Sequence, residues 1–507
     1  MITIIDCGSQ LTQNIARRVR ELGVYTEIVP FNTPPDRVLK EGLEGIIISG
    51  GQFSVYDQNA PLYDKKLLES GLPVLGICYG MQSISHILGG QVSPTNEREY
   101  GRTKLSLTKE SPLFEGIPKE FNVWMSHGDV VKIPPSGFNT LATSQKRHIS
   151  AIQNSERNIY AVQFHPELDR TQYGRKILDN FLKICQAKKT WDSSKMYQTI
   201  VERISGQIEG KVGVGGISGG VDSTTACVLL RNLAENDFYP IFIDNGLLRL
   251  GEKQEVKNSL DSLGLRVEYI DASIRFLSVL SGISNPDEKR KIIGHEFVSV
   301  FEEEARKIRG VSYLVQGTLY PDVIESVSVY GSSSKIKRHH NVGGLPEKMN
   351  LEVVEPFRSM FKDEVRKIAE EQLGLPKEIV WRHPFPGPGL GIRVVGQEIT
   401  EEKLDILRKA DAIFIGELRQ RNLYDKISQA LAGILTKSVG VLGDEGTYEY
   451  GICLRAVVTN DFMDADAFPF SNKQRQEITH KIINEIKGVN RVFWDETSKP
   501  PATIEWE

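Results

Sequence analysis

Two short glycine-flanked turns constrain this chain more than anything else in it. The first is Gly76-Ile77-Cys78-Tyr79-Gly80, which follows the apolar run Pro73-Val74-Leu75. The second is Ser218-Gly219-Gly220-Val221-Asp222-Ser223, which follows the buried-looking stretch 211–217. A strand that passes straight into a helix through a tight turn is the repeating unit of a layered α/β fold, with strand ends aligned along one sheet edge. Thr3-Ile4-Ile5 and Gly45-Ile46-Ile47-Ile48 read as further buried parallel strands. Between them residues 13–22 fit a helix, with Ile15, Val19 and Leu22 on one face.

The chain has 507 residues, too many for one core, and the length prior favours about three domains. A second α/β region is expected after the polar junction 188–195, with strands near 211–217, 240–243, 266–270 and 312–316. The segment His383-Pro384-Phe385-Pro386-Gly387-Pro388-Gly389 fits neither a regular helix nor a central strand, and it ends that region. The remainder reads as α+β: a helix near 400–420, a strand pair, a helix near 472–487 and the extended Val492-Phe493-Trp494. The expected fold class is therefore α/β, with two doubly wound parallel-sheet domains (1–190 and 191–382) followed by a smaller α+β domain (383–507).

Composition closes off several functions. A net charge of -4 gives no electrostatic case for nucleic acid or a membrane surface. The apolar run at the N-terminus is far too short for a secretory h-region, and no stretch approaches the about 18 apolar residues of a membrane span. The five cysteines lack any CxxC spacing, which argues against a disulfide framework or zinc cluster and for the cytoplasm.

The first turn suits a nucleophile. Cys78 has glycine two residues before and two after, as a strained elbow requires. The following helix would aim its positive end at the sulfur and favour the thiolate. Backbone N–H groups of Tyr79 and Gly51 are candidate donors to an oxyanion. His165, ending the run Ile159-Tyr160-Ala161-Val162-Gln163-Phe164, is the candidate base, with Glu167 as its orienting partner. A lone cysteine is more often buried filler; the coincidence of elbow, glycine loop and His-Pro-Glu is what outweighs that.

The second turn lacks the GK[ST] of a Walker A loop, so γ-phosphate transfer is not expected. It still suits a pyrophosphate. Gly219 and Gly220 allow close backbone approach at a helix start, Ser218 and Ser223 add hydroxyl donors, and Asp222 can hold Mg²⁺. The nucleotide-contacting stretch runs Ser218, Gly219, Gly220, Val221, Asp222, Ser223 and Thr224. Asp244 and the segment Gln316–Asp322, at later strand ends, lie where a doubly wound sheet binds nucleotide.

The first region resembles the class I glutamine amidotransferases, whose Cys-His-Glu triad maps onto Cys78, His165 and Glu167. The resemblance implies hydrolysis of the glutamine side-chain amide through a γ-glutamyl thioester. The second turn resembles the N-type ATP pyrophosphatases, which adenylate an oxygen and let an amine displace AMP. Segments 288–294, 339–346, 383–390 and 499–507 resemble the glutamine-hydrolysing GMP synthase family end to end. That likeness implies amination of XMP to GMP through an adenyl-XMP intermediate, with glutamine, ATP and XMP as substrates. It also implies Mg²⁺ with ATP, no tightly bound organic cofactor, and a homodimer formed through the last domain. Carried over, Arg290, Lys499, Ile504 and Glu505 are the candidate XMP contacts: the two cations suit a 5′-phosphate, and Glu505 suits a purine N–H.

Four positions depart from the family pattern: Gln52 in place of proline, Gly446 of arginine, Asp464 of threonine and Phe468 of tryptophan. Two competing functions are a glutamine-dependent ligase acting on a deamido dinucleotide, and a nucleotide-sensing protein that no longer turns over.

Overall fold

A computed structural model describes residues 1–327, 351–459, 462 and 464–507. The chain divides into two compact units, one built mainly from Met1–Met196 and the other from Tyr197–Val323 with residues 351–507. Segment 339–346, singled out above, lies outside the described residues.

In the first unit the apolar runs become strands because each is buried on both faces: β1 (Ile2–Asp6), β3 (Gly45–Ile48) and β4 (Val74–Ile77). Each fully buried Ile or Val contributes about 1.5–3 kcal/mol over its exposed state. With β2 (Thr26–Pro30) and β9 (Ile159–Val162) they form the parallel half of a nine-stranded sheet, ordered β2-β1-β3-β4-β9. The sheet then continues antiparallel through β8 (Ile149–Asn154), β7 (Asn139–Ser144), β5 (Gln91–Leu107) and β6 (Glu120–Ile133). This second half is an addition to the parallel core read from the sequence. Neither of its long strands is an apolar run: β5 is mostly exposed or half-buried, and β6 alternates buried with exposed positions in its first half.

Two registers fix the site. Ile48 pairs with Gly76 across β3 and β4, and Ile77 pairs with Val162 across β4 and β9. The residues just beyond three strands, Ser49–Gly51, Cys78 and Gln163–His165, therefore emerge side by side at one edge.

The second unit carries an all-parallel sheet ordered β12-β11-β10-β13-β14: β10 (Val212–Gly216), β11 (Phe238–Asp244), β12 (Glu268–Asp271), β13 (Val311–Val315) and β14 (Glu352–Val354). The direction of winding reverses between β10 and β13, which opens a crevice at their carboxyl ends. A further sheet joins β15 (Gln429–Leu442), β16 (Glu445–Val458), β17 (Asp466–Ala467) and β18 (Val489–Asp495), backed by the helices Glu401–Gln420 and Asn472–Glu485. One hydrophobic cluster runs from Val214 and Leu314 through Leu390 and Phe414 to Leu454 and Ile482, so both sheets share a core. The glycine-proline segment is part of that join, since Leu390 donates its N–H to the Leu247 carbonyl at 2.7 Å. Among the described residues no helix is long and apolar enough to cross a membrane.

Candidate active sites

Cys78 ends β4 at φ 54°, ψ −107°, a conformation that L residues rarely adopt, and starts the helix Tyr79–Ile87. Its amide is tied down by a 2.8 Å bond to the Val162 carbonyl. The neighbouring glycines are there for space. A Cβ on Gly76 would lie 2.6 Å from Ile84 Cδ1, and one on Gly80 would strike the Ile48 carbonyl. Strain and close approach together hold the sulfur above the first turn of the helix, whose N–H groups and dipole favour an anion there.

His165 is fixed from both ends. Its backbone N–H donates to the Trp124 carbonyl at 3.1 Å, and Nδ1 bonds Glu167 Oε1 at 2.7 Å. Burial pulls the imidazole pKa down, but the Glu167 carboxylate and the hydrogen-bonded Cys78 sulfur outweigh it and lift the pKa well above its ordinary value. The Gly50–Gly51 loop closes the third side. A Cβ on Gly50 would sit 3.4 Å from His165 Cε1, and one on Gly51 would sit 2.7 Å from the Cys7 carbonyl and 3.3 Å from Tyr79 Cγ. Cys78, His165, Glu167, Gly51 and Tyr79 are thus gathered at one sheet edge. Gln52, next in the loop, is exposed.

Sequence reasoning missed the sulfur's other neighbours. Gln163 Nε2 donates to Cys78 Sγ at 3.7 Å, and Sγ lies 3.7 Å from the Ser126 carbonyl. Gln82 Nε2 bonds both Gln163 Oε1 (3.2 Å) and the Asp129 carbonyl (3.0 Å). Gln163 carried a readable signal: an amide inside an apolar buried run must find a polar partner. Ser126 carried none, because it acts through its backbone.

In the second unit Ser218 and Gly219 bridge from β10 to the helix Val221–Ala234. Gly219 has φ 76° and packs where a Cβ would be 2.7 Å from Val256 Cγ2. The loop is braced across its mouth: Ser218 Oγ and Ser223 Oγ are 2.9 Å apart, and Ser223 Oγ also takes the Ser218 N–H at 3.1 Å. Gly220 caps the helix with extended backbone and Thr224 donates back to its carbonyl. Asp222 Oδ2 pairs with Lys362 Nζ at 3.1 Å, while buried Oδ1 has no hydrogen-bond partner among the described residues. Lys362, from the N-terminal turn of the helix Lys362–Lys367, was not read from the sequence; a single lysine carries no local signal. Gly317, beyond β13, lies against Asp222 across the crevice.

The candidate XMP contacts collect around the segment 499–507. Ile504 packs with Leu431, Val457 and Ala465. Ala465 in turn pairs its backbone with Lys499, whose Nζ donates to the Phe462 carbonyl at 2.7 Å. Arg290 donates to the Glu507 carbonyl. Glu505 Oε1 accepts from Arg393 Nη2 (2.9 Å) and Gln429 Nε2 (2.7 Å), and Oε2 from Arg393 Nε (3.1 Å). Arg393 is fully buried and was missed, because nothing in its local sequence distinguishes it from a surface arginine. Of the other departures, Gly446 faces open space in the β15–β16 hairpin, Asp464 accepts from Thr459 through its backbone, and Phe468 packs edge-on against Phe470; none of these explains the change.

Residues 3–185 match the family described as glutamine amidotransferase class-I, and residues 416–506 match the GMP synthase C terminal domain. The chain is 52% identical to the GMP synthase (glutamine-hydrolyzing) of Aquifex aeolicus (strain VF5), over 100% of this chain and 99% of that one. It is 51% identical to the protein of that name from Nitratidesulfovibrio vulgaris (strain DSM 19637 / Miyazaki F), with 100% and 99% covered. To that of Brachyspira hyodysenteriae (strain ATCC 49526 / WA1) it is 49% identical, again over 100% and 99%.

Proposed function

Since the chain belongs to the glutamine-hydrolysing GMP synthase family, we propose that it aminates XMP to GMP with nitrogen taken from glutamine at Cys78. The Cys78 thiolate attacks the glutamine amide carbon, and N–H groups of Gly51 and Tyr79 receive the developing oxyanion. His165, held by Glu167, gives its proton to the departing ammonia and then takes one from the water that hydrolyses the thioester. The observation that carries this reading is the Ile77–Val162 register, which sets the strained sulfur beside a buried His165–Glu167 pair.

The ammonia is consumed in the second unit. The loop Ser218–Thr224 cradles the ATP phosphates, XMP O2 attacks the α-phosphorus, and pyrophosphate leaves. Ammonia then displaces AMP at C2 to give GMP. Mg²⁺ fits the residues present: Asp222 Oδ1 is a buried carboxylate oxygen at the crevice with no partner among the described residues, and one carboxylate plus substrate phosphates is how this ion is commonly held. When bound it neutralises phosphate charge.

Arg290 and Lys499 are assigned to the XMP phosphate, and Ile504 and Glu505 to its base. Residues 1–190, 191–382 and 383–507 are read as amidotransferase, adenylating and dimerisation domains. The homodimer is supported by the β15–β16 hairpin, which presents Val439, Val441 and Tyr448 largely to solvent. The cytoplasm is supported by five cysteines that are all unpaired. The test is Cys78→Ala: glutamine-driven GMP formation should vanish and ammonium-driven formation persist, and equal loss of both in a folded variant refutes the scheme.

A further inference from the structure

A second buried polar chain lies beside the sulfur and belongs to no step above. Glu99 and His127 are direct cross-strand partners on β5 and β6, and both are almost wholly buried. Glu99 Oε2 bonds His148 Nδ1 at 3.1 Å and lies 3.3 Å from His127 Nε2. On its other side His127 Nδ1 is 3.0 Å from the Asp129 carbonyl. A carbonyl can only accept, so Nδ1 donates to it, while Nε2 faces the Glu99 carboxylate in an ion-pair contact and not an aligned hydrogen bond. The Asp129 carbonyl also takes Gln82 Nε2 (3.0 Å), while its carboxylate takes Ser54 Oγ (2.5 Å) and Tyr56 Oη (2.8 Å).

Ser54 and Tyr56 follow Gly51 in the same loop, and Ser126, the residue before His127, gives its carbonyl to Cys78. A buried carboxylate facing two imidazoles is costly to maintain for packing alone, since an apolar trio of similar volume would serve as well. Burial by itself would raise the Glu99 pKa; donors from His127, Ser144 and His148 bring it below the ordinary value, so the group stays charged at working pH.

We infer that Glu99 is a positioning residue for glutamine hydrolysis, acting through His127 and Asp129 to set the loop that carries Gly51 and the strand that carries Ser126. This rests on reading Cys78 as the nucleophile. A displaced oxyanion donor is felt in the transition state more than in the ground state, so the effect falls on kcat and spares KM.

The experiment compares Glu99→Gln, Tyr56→Phe and the double variant of the full chain, measuring kcat and KM for glutamine hydrolysis and for ammonium-driven GMP formation. Glu99→Gln should lower glutaminase kcat about 10-fold with KM within about twofold, and leave ammonium-driven synthesis intact. Tyr56→Phe should lower kcat about 3-fold, and the double variant should match Glu99→Gln, because both sever one chain. Unchanged kcat in Glu99→Gln, or multiplicative losses in the double variant, overturns the inference. Tyr56 is half exposed, so its variant folds even if Glu99→Gln does not, and a normal kcat in Tyr56→Phe would then be decisive against it. Cys78→Ala separates the two readings: if it retains glutaminase activity, the nucleophile assignment fails irrespective of Glu99.

Discussion

The two proposed catalytic edges of this protein are built on different plans. At the first, Cys78, His165 and Glu167, the proposed nucleophile, base and orienting carboxylate, are all buried, His165 is bonded to Glu167, and Cys78 holds a strained backbone. At the second, Ser218 is exposed and the loop is braced only by the Ser223 hydroxyl, which meets both the Ser218 N–H and its hydroxyl, while Asp222 is only part buried beside Lys362. The difference fits what each is proposed to do. A thiolate attacking a neutral amide gains from a fixed geometry in a water-poor site, where small displacements are expensive. A triphosphate brings its own charge and needs an open cradle of N–H and O–H donors that is completed by the ligand.

The sharpest break in that comparison is Cys78→Ala. Glutamine-driven synthesis should fall at least about 10⁴-fold while ammonium-driven synthesis stays within about twofold, read as AMP release. Next, Asp222→Asn should lower both activities alike, by about 100-fold, because the cradle serves either nitrogen source; a selective loss with glutamine would blur the division.

Glu167→Gln tests the electrostatics of the first site. Burial lowers the His165 pKa and Glu167 is the first of the charges that raise it, so without that charge the pKa falls. The alkaline limb of the glutaminase profile reports loss of the imidazolium, so it should move to lower pH, with kcat down about 10-fold or more. The linkage has the same sign. A raised folded pKa stabilises fully below the unfolded value near about 6.5 and ceases to do so as pH rises through the folded value. The melting-temperature gap between wild type and this variant should therefore narrow toward high pH.

The smallest effect is expected at Lys362→Met. Its pair with Asp222 is part exposed and contributes about 0–1 kcal/mol to stability. Melting should barely change, while KM for ATP in pyrophosphate release rises about 3-fold.

Much of the fold could be read along the chain because parallel, doubly buried strands announce themselves as unbroken β-branched runs, as at Ile46-Ile47-Ile48. The antiparallel half of the first sheet could not, since β5 is mostly polar and little buried over its long span, and only β6 alternates buried with exposed positions. The same contrast governs the sites. Turn residues such as Gly76, Gly80 and Gly219 are marked by their type, whereas Arg393, Lys362 and Glu99 look like any charged surface residue until their burial or partners are known.

The sequence by itself determined where the backbone must bend and which side chains stand at the bends, a thiol at one and a glycine-serine turn at the other. Those are short-range matters of sterics and hydrogen bonding within a few residues. Tertiary structure decided which distant groups meet them: β9 beside β4 brings His165 to Cys78, and the fold around β10 brings Lys362 to Asp222. Strand order and register are set by the summed burial of whole faces, a quantity that no local window contains.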